Sequence, residues 1–351
     1  MQNFIKPISP ISKDNLEKAR AHLDNLTKPR GSLGELENWI AHYAAIKGPE
    51  SCEIKSKAVV LFAADHGVVE EGVSAYPQEV TAQMVLNFIA GGAAINSLAR
   101  HAGAELSVVD VGVKSPLPKH STLLSHKIAN GTRNMVQEPA MERNQAEDAL
   151  NLGYQVAQEK AVGGADLLVA GDMGIGNTTS ATAILSVLHA KPPSELTGRG
   201  TGIDDATHQN KIRVIEKAIN RNQPDSSDPV DVLTKLGGFE IGAMAGFYLG
   251  AASNGTPVLI DGVISCAAAS LAQTLQPNLR AYLFPGHRSA EPASDAFLEQ
   301  LDLLPLLDLE MRLGEGTGAV MAMTLLEGGV RLYNEMATFG DAGVSEKNSA
   351  Q

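Results

Sequence analysis

Asp166-Leu167-Leu168-Val169-Ala170 runs straight into Gly171-Asp172-Met173-Gly174-Ile175-Gly176-Asn177-Thr178-Thr179, and an apolar helical segment continues to about His189. A short β-rich run, a glycine turn and then helical periodicity make one strand-turn-helix step of a parallel sheet. The same step recurs outward from it. Ala58 to Ala64, Leu106 to Val113, Pro257 to Ile260 and Ala281 to Phe284 are mostly uninterrupted apolar runs, as strands buried on both faces should be. Polar or Gly-rich turns close these runs: Asp65-His66-Gly67, Asp110 to Gly112, Gly171 to Gly174, Asp261-Gly262 and Pro285-Gly286-His287-Arg288-Ser289. Ligands of open α/β sheets sit beyond the carboxyl ends of the strands, so all five turns are expected to converge on one crevice. Any single one is equally well read as an ordinary Asp or Gly turn.

The ends of the chain differ from its middle. Asp14 to Leu26, Leu33 to Ile46 and Gly318 to Met336 have helical spacing without intervening strands. The expectation is an α/β fold: a parallel-sheet, Rossmann-like large domain over residues 46–304, with a small helical domain built from residues 1–45 and 305–351. The alternative packs the same helices on the flank of the sheet. After Thr338 the tail is polar and small, and is expected to fray.

With 351 residues, 44% of them apolar and 19% charged, the chain can bury a sizeable core. Forty acidic residues against 28 basic ones leave a net charge of −12, which argues against nucleic acid or an anionic membrane surface as partner and for a small molecule. Cys52 and Cys266 stand alone, indicating neither a disulfide framework nor a Cys-based metal site, and hence a reducing, cytoplasmic setting. Met1 to Asn15 has no apolar core of signal-peptide length, and no apolar run is expected to reach the span of a bilayer.

Three Gly clusters could carry chemistry. In Gly171 to Thr179, glycines let a phosphate approach the backbone, and the free N–H groups of the following helix point at it. Asn177 or Thr178 is expected to cap that helix. The segment lacks the Gly-Lys-Ser/Thr ending of a Walker loop and the spacing of a dinucleotide fingerprint. Gly198-Arg199-Gly200-Thr201-Gly202-Ile203-Asp204-Asp205 precedes a helix carrying Lys211 and Arg213. Lys211 is either a point charge for a phosphate or part of a solvated face capped by Asp204 or Asp205. With Arg288, this segment is the expected source of positive field in an acidic protein. In Met311-Arg312-Leu313-Gly314-Glu315-Gly316-Thr317-Gly318, Glu315 caps nothing obvious; it is loop decoration or a base whose pKa a desolvated cleft would raise.

Nine histidines show no His-Glu-x-x-His element and no metal-ligand spacing, so no metal is expected. Asp65-His66 reads as a ligand pair, as an acid and base or, more commonly, as a turn histidine bonded to nearby backbone. Met244 to Ala252 reads as the small-residue packing face of a buried helix.

Taken in order, Ala64 to Gly67, Pro77 to Val85, Gly171 to Thr179, Gly237 to Glu240, Leu259 to Gly262, Gly286 to Glu291 and Arg312 to Gly318 resemble the nicotinate-nucleotide:dimethylbenzimidazole phosphoribosyltransferase (CobT) family, from about Ile11 to Ala337. The resemblance implies transfer of phosphoribose from nicotinate mononucleotide to 5,6-dimethylbenzimidazole with inversion at the anomeric carbon, giving α-ribazole 5′-phosphate and nicotinate, with no cofactor. It also implies a homodimer with the domain division expected above. Carried over residue by residue, it makes Glu315 the catalytic base. Gly174, Gly176, Asn177 and Thr178 become the phosphate turn, with Gly200, Lys211 and Ser289 converging on it. Tyr76, Gln83, Met84 and Leu313 become the wall of the acceptor pocket. Many members of that family carry Glu where this chain has Asp172, which is kept as a substrate-binding residue. Two other readings use the same residues: a non-catalytic nucleotide-binding module, which needs Gly171 to Thr179 but not Glu315, and a nucleotidase that directs water in place of the acceptor.

Overall fold

The computed structural model describes residues 5–50 and 52–345. The chain opens with α1 (Lys13–Asn25) and α2 (Glu35–Lys47) and enters the sheet at β1 (Lys57–Ala64). Then come α3 (Val80–Ala90), α4 (Ala94–Ala102), β2 (Glu105–Gly112), β3 (Leu123–Ser125) and α5 (Arg143–Val162). α6 (Asn177–Leu188) follows β4 (Leu167–Met173) directly. α7 (Pro193–Leu196), α8 (Asp205–Asn222), α9 (Pro229–Leu236) and α10 (Phe239–Ser253) precede β5 (Val258–Ile260). α11 (Val263–Leu275), β6 (Leu283–Pro285), α12 (Pro292–Gln300), α13 (Thr317–Glu335) and α14 (Phe339–Ala342) complete the chain.

All pairings are parallel, in the order β3-β2-β1-β4-β5-β6, which is the doubly wound order. The switch point lies between β1 and β4, where Phe62 pairs with Asp172 and Ala63 with Met173. β4 therefore continues through Gly171, Asp172 and Met173; the turn expected to start at Gly171 starts at Gly174.

Alternation along each strand divides the core. Ala58, Val60, Phe62, Leu168, Ala170 and Ile260 join one apolar cluster with α5, α6, α10 and α11. Val59, Leu61, Leu167, Val169, Leu259 and Phe284 join the other with α1, α2, α4 and α13. The first layer rests on a close helix pair. A Cβ on Gly246 would lie 1.8 Å from the Leu150 carbonyl oxygen, and one on Gly153 1.7 Å from that of Ala243, so α5 and α10 touch backbone to backbone. This is the packing role expected of Met244 to Ala252.

In the second layer the two ends of the chain meet. Leu26 bridges Thr338, His22 donates to the Tyr333 carbonyl at 2.8 Å, and the Asn334 amide donates to the Cys52 carbonyl at 2.7 Å. The same apolar cluster continues from these helices onto the sheet.

Two expectations about the chain's course need correction. Val80–Ala102 is long and apolar enough to count as a bilayer-length stretch. It is broken into α3 and α4 by Gly91, in a left-handed C-cap, and the helices pack partly against the sheet. Past Thr338 the chain does not simply fray: the Thr338 hydroxyl accepts from the Asp341 amide and starts α14. Residues 346–351 of that tail lie outside the described residues.

Candidate active site

A cavity of about 480 Å³ opens at the carboxyl edge of the sheet, bounded by the ends of β4, β5 and β6, by α3 and by the loops around Thr201 and Glu315. Of the five turns expected to meet there, those after β4, β5 and β6 line it. The other two are spent locally. Asp110 accepts from its own Gly112 and Val113 amides, and Asp65 from the Lys114 amide.

All the expected site residues except Gly176, Lys211 and Gln83 line this cavity. Gly176 caps α6 from a left-handed conformation, φ 93°, and a Cβ there would stand 2.7 Å from Val69, so its part is backbone shape. Gln83 is exposed on α3, away from the wall. Lys211 comes from α8 behind the wall, 1% exposed, and its Nζ donates to Thr178 Oγ1 at 2.7 Å. It is no part of a solvated helix face; Asp204 caps α8 as expected, accepting from the Thr207 amide. Burial pushes the Lys211 ammonium down to about 8, with the charge of Glu291 opposing the shift.

The side chains of the Gly-rich turn do not cap α6. The Asn177 amide donates instead to Asp172 Oδ2 at 2.9 Å, and Thr178 is held by Lys211. Gly174, Asn177 and Thr178, at the start of α6, line the cavity beside Gly200 and Ser289. Arg288 supplies no field here: it is exposed and paired with Asp295 and Asp308. Behind the turn, His66 is wholly buried and bonded to side chains rather than to backbone, with Nε2 2.6 Å from Glu240 Oε1 and Nδ1 3.1 Å from Ser180 Oγ.

Glu315 lines the same cavity. Gly314, Glu315 and Gly316 all have left-handed backbones, with φ of 85°, 61° and 89°. The loop lies so close to β4 that a Cβ on Gly171 would meet the Glu315 carbonyl oxygen at 2.2 Å. Glu315 does cap something: Oε2 accepts from the Ile95 amide at the start of α4, at 3.3 Å. Burial raises the Glu315 carboxyl above its usual range and the negative charge of Asp261 adds to this, while the Ile95 amide opposes both. Asp172 is pushed further, to about 8, first by burial and then by the charges of Asp261, Glu240 and Glu315, against the Asn177 bond.

At the mouth, Tyr76 and Leu313 are 54% and 59% exposed, and Met84 lies deeper, half-buried. Thr201, His287, Glu291 and Arg312, not among the residues expected from the sequence, also line the cavity. Glu291 accepts from the Gly200 amide at 2.9 Å and Arg312 donates to the Gly200 carbonyl at 3.0 Å, so together they hold the Gly200 loop. His287, Arg288 and Glu291 all stand in the segment after β6, but nothing local in the sequence distinguishes the residues that face inward. Among the described residues, no three His, Cys, Asp or Glu side chains gather in a group that could hold a metal.

The family model described as phosphoribosyltransferase matches residues 8–344. The nicotinate-nucleotide-dimethylbenzimidazole phosphoribosyltransferase of Chloroflexus aggregans is 53% identical over 346 residues, covering 99% of this chain and 98% of that one. This chain belongs to that family. Another CobT relative, from Roseiflexus castenholzii, is 53% identical over 347 residues and equally complete. Among solved structures, CobT from Thermus thermophilus superimposes with a TM-score of 0.92 at 48% identity, covering 95% of this chain and all of that one. The CobT fold is thus shared over nearly the whole length, and the cavity lies where a doubly wound sheet presents its ligands.

Proposed function

We propose that the cavity carries out the family's reaction with Glu315 as its base. The protein transfers the phosphoribosyl group of nicotinate mononucleotide to 5,6-dimethylbenzimidazole, in the lower-ligand branch of cobalamin synthesis. The observation that carries the assignment of the base is the position of Glu315, 7% exposed, in the lining of the same cavity as Gly174, Asn177 and Thr178; burial also raises its pKa.

In this reading the 5′-phosphate rests on the start of α6 and the Gly200 loop, with Lys211 supplying charge through the wall. The acceptor ring lies against Tyr76, Met84 and Leu313, a mostly apolar wall suited to a flat base. One imidazole nitrogen attacks the anomeric carbon as its bond to the pyridinium nitrogen breaks, and that electron pair returns to the pyridine ring. The other imidazole nitrogen loses its proton to Glu315. The departing ring nitrogen leaves neutral, so no general acid is needed. Asp172, holding its own proton near neutral pH, is placed to hydrogen-bond the ribose or the nicotinate. Gln83 enters this reading only if α3 turns, and Gly176 only through its backbone.

The division into residues 46–304 and a helical unit of residues 1–45 with 305–351 is part of the proposal, supported by the meeting of α1, α2 and α13. The homodimer rests on the family resemblance. Cytoplasmic residence is supported by two buried, unpaired cysteines. Incubation with nicotinate mononucleotide and dimethylbenzimidazole should release nicotinate and α-ribazole 5′-phosphate in equal amounts. Ribose 5-phosphate as the product would make the protein a nucleotidase, and binding without release a nucleotide-binding module. Glu315→Gln should lower kcat by about 10²- to 10⁴-fold, the range for a general base, with nucleotide affinity kept. An unchanged kcat would remove Glu315 from the chemistry.

A further inference from the structure

We propose that Asp261, in the turn after β5, is the positioning residue for the candidate base: its carboxylate holds the Gly314–Gly316 loop so that Glu315 stands at the cavity wall. The inference rests on the reading of Glu315 given above.

The loop has every reason to move. It strings together three left-handed residues, the middle one a glutamate, whose Cβ makes that conformation unfavourable. Such a backbone persists only where its surroundings over-determine it. Asp261 supplies that constraint from beneath. Its Oδ2 accepts from the amide of Gly316, the residue next to the base, at 3.2 Å, and its Oδ1 accepts from the Ala319 amide in the first turn of α13, at 3.0 Å. Both carboxylate oxygens are therefore spent on the loop and the helix it starts, and they satisfy N–H groups that a helix start otherwise leaves open.

Two walls complete the hold. On one side, β4 presses on the Glu315 carbonyl at Gly171. On the other, the His287 ring lies over α13, where a Cβ on Gly318 would meet it at 2.0 Å, and its Nε2 stands 3.4 Å from Asp261 Oδ1. Asp261 is 2% exposed and does not line the cavity, so it reaches the reacting atoms only through the backbone of the base. Its charge also bears on Glu315, and the charge of Glu315 in turn helps raise Asp172 on β4; the Ile95 amide faces the Glu315 carboxylate from α4, and His287 flanks Asp261 from the turn after β6.

The experiment is a double-variant cycle of Asp261→Asn and Glu315→Gln in the full-length protein. Asn keeps one acceptor of the same shape but loses the charge and the second acceptor. Asp261→Asn alone should lower kcat about 10- to 100-fold, as expected when a reacting group is displaced by about an ångström, with KM for nicotinate mononucleotide within about threefold. The acid limb of its kcat profile should move to lower pH, because removing a neighbouring negative charge favours the ionised base; a purely structural role would leave that limb in place. In the Glu315→Gln background, Asp261→Asn should cost no more than about a further twofold. Multiplying effects, an unmoved acid limb or a loss confined to nucleotide KM would overturn the proposal while leaving Glu315 as the base. If Glu315→Gln itself were silent, the assignment of the base would fall and this inference with it. Should Asp261→Asn fail to fold, as judged by its melting curve, Asp261→Ser provides a smaller single acceptor for the same cycle.

Discussion

Gly174-Ile175-Gly176-Asn177 and Gly314-Glu315-Gly316-Thr317 are two versions of one backbone device, to which the proposed function gives opposite uses. Each ends in a left-handed glycine that starts a helix, φ 93° at Gly176 and 89° at Gly316. In each, the first helical amide bonds back to the carbonyl of the leading glycine at 3.0 Å. They part at the middle residue and beneath the helix. Ile175 is buried, with its amide on Thr81 Oγ1, whereas Glu315 is itself left-handed and presents its carboxylate at the wall. The start of α13 is filled from below by Asp261, while among the described residues no side chain caps the first turn of α6. A helix start occupied by the protein's own carboxylate becomes a mount for a side chain; the one without such a carboxylate is, in the proposed reading, the seat of the 5′-phosphate.

The contrast breaks most severely if each turn's supporting glycine is filled. Gly171→Ala drives a methyl into the Glu315 carbonyl, and kcat should fall by about 100-fold or more. Gly174→Ala, whose Cβ would meet the Ala64 carbonyl oxygen at 2.4 Å, should instead raise KM for the nucleotide. If steady-state kinetics show both variants changing the same parameter, the two turns do not have separate jobs. Next in size is Lys211→Met, which removes the charge behind the proposed phosphate seat. A lost charged hydrogen bond of about 1.5–3 kcal/mol corresponds to a KM about 10- to 100-fold higher, with kcat less affected.

The pH dependence sharpens the comparison further. Lys211 is charged below its pKa of about 8, so nucleotide affinity in the free enzyme should weaken as pH rises through that value. Glu315 must be ionised to accept a proton, and its pKa is raised, so the acid limb of kcat should lie above the usual carboxylate range. An acid limb at the pKa of an ordinary exposed glutamate would contradict the placement of Glu315. The smallest effects are on stability. Gly176→Ala and Gly316→Ala each force a side chain into left-handed backbone at a cost of about 1–3 kcal/mol, which denaturant midpoints should register about equally.

Much of this was legible in the sequence because it is local. The five apolar runs are strands, the end segments are helices, and Glu315 was conspicuous between its glycines. What was not legible depends on partners distant in the chain. β3 has three residues at the sheet edge and exists through its pairing with β2. Asp172 belongs to a strand because β1 extends alongside it, and Arg288 is neutralised by Asp295 and Asp308. Lys211 stands on a helix with many polar residues and is buried where that helix reaches Thr178 of α6. Gln83 and Met84 are neighbours in sequence, yet the turn of α3 sends one outward and the other to the wall. The His66 pairing needs α10, which lies far along the chain from β1.

The meshing of α5 with α10 has a dynamic consequence. Helices that touch carbonyl to Cα at Gly153, Gly246 and Gly250 have no neighbouring register to slip into, since one step would set side chains where only hydrogen fits. That half of the molecule behaves as an anvil. Whatever breathing admits substrate falls instead to the exposed rim of the cavity, where Tyr76 and Leu313 meet the solvent.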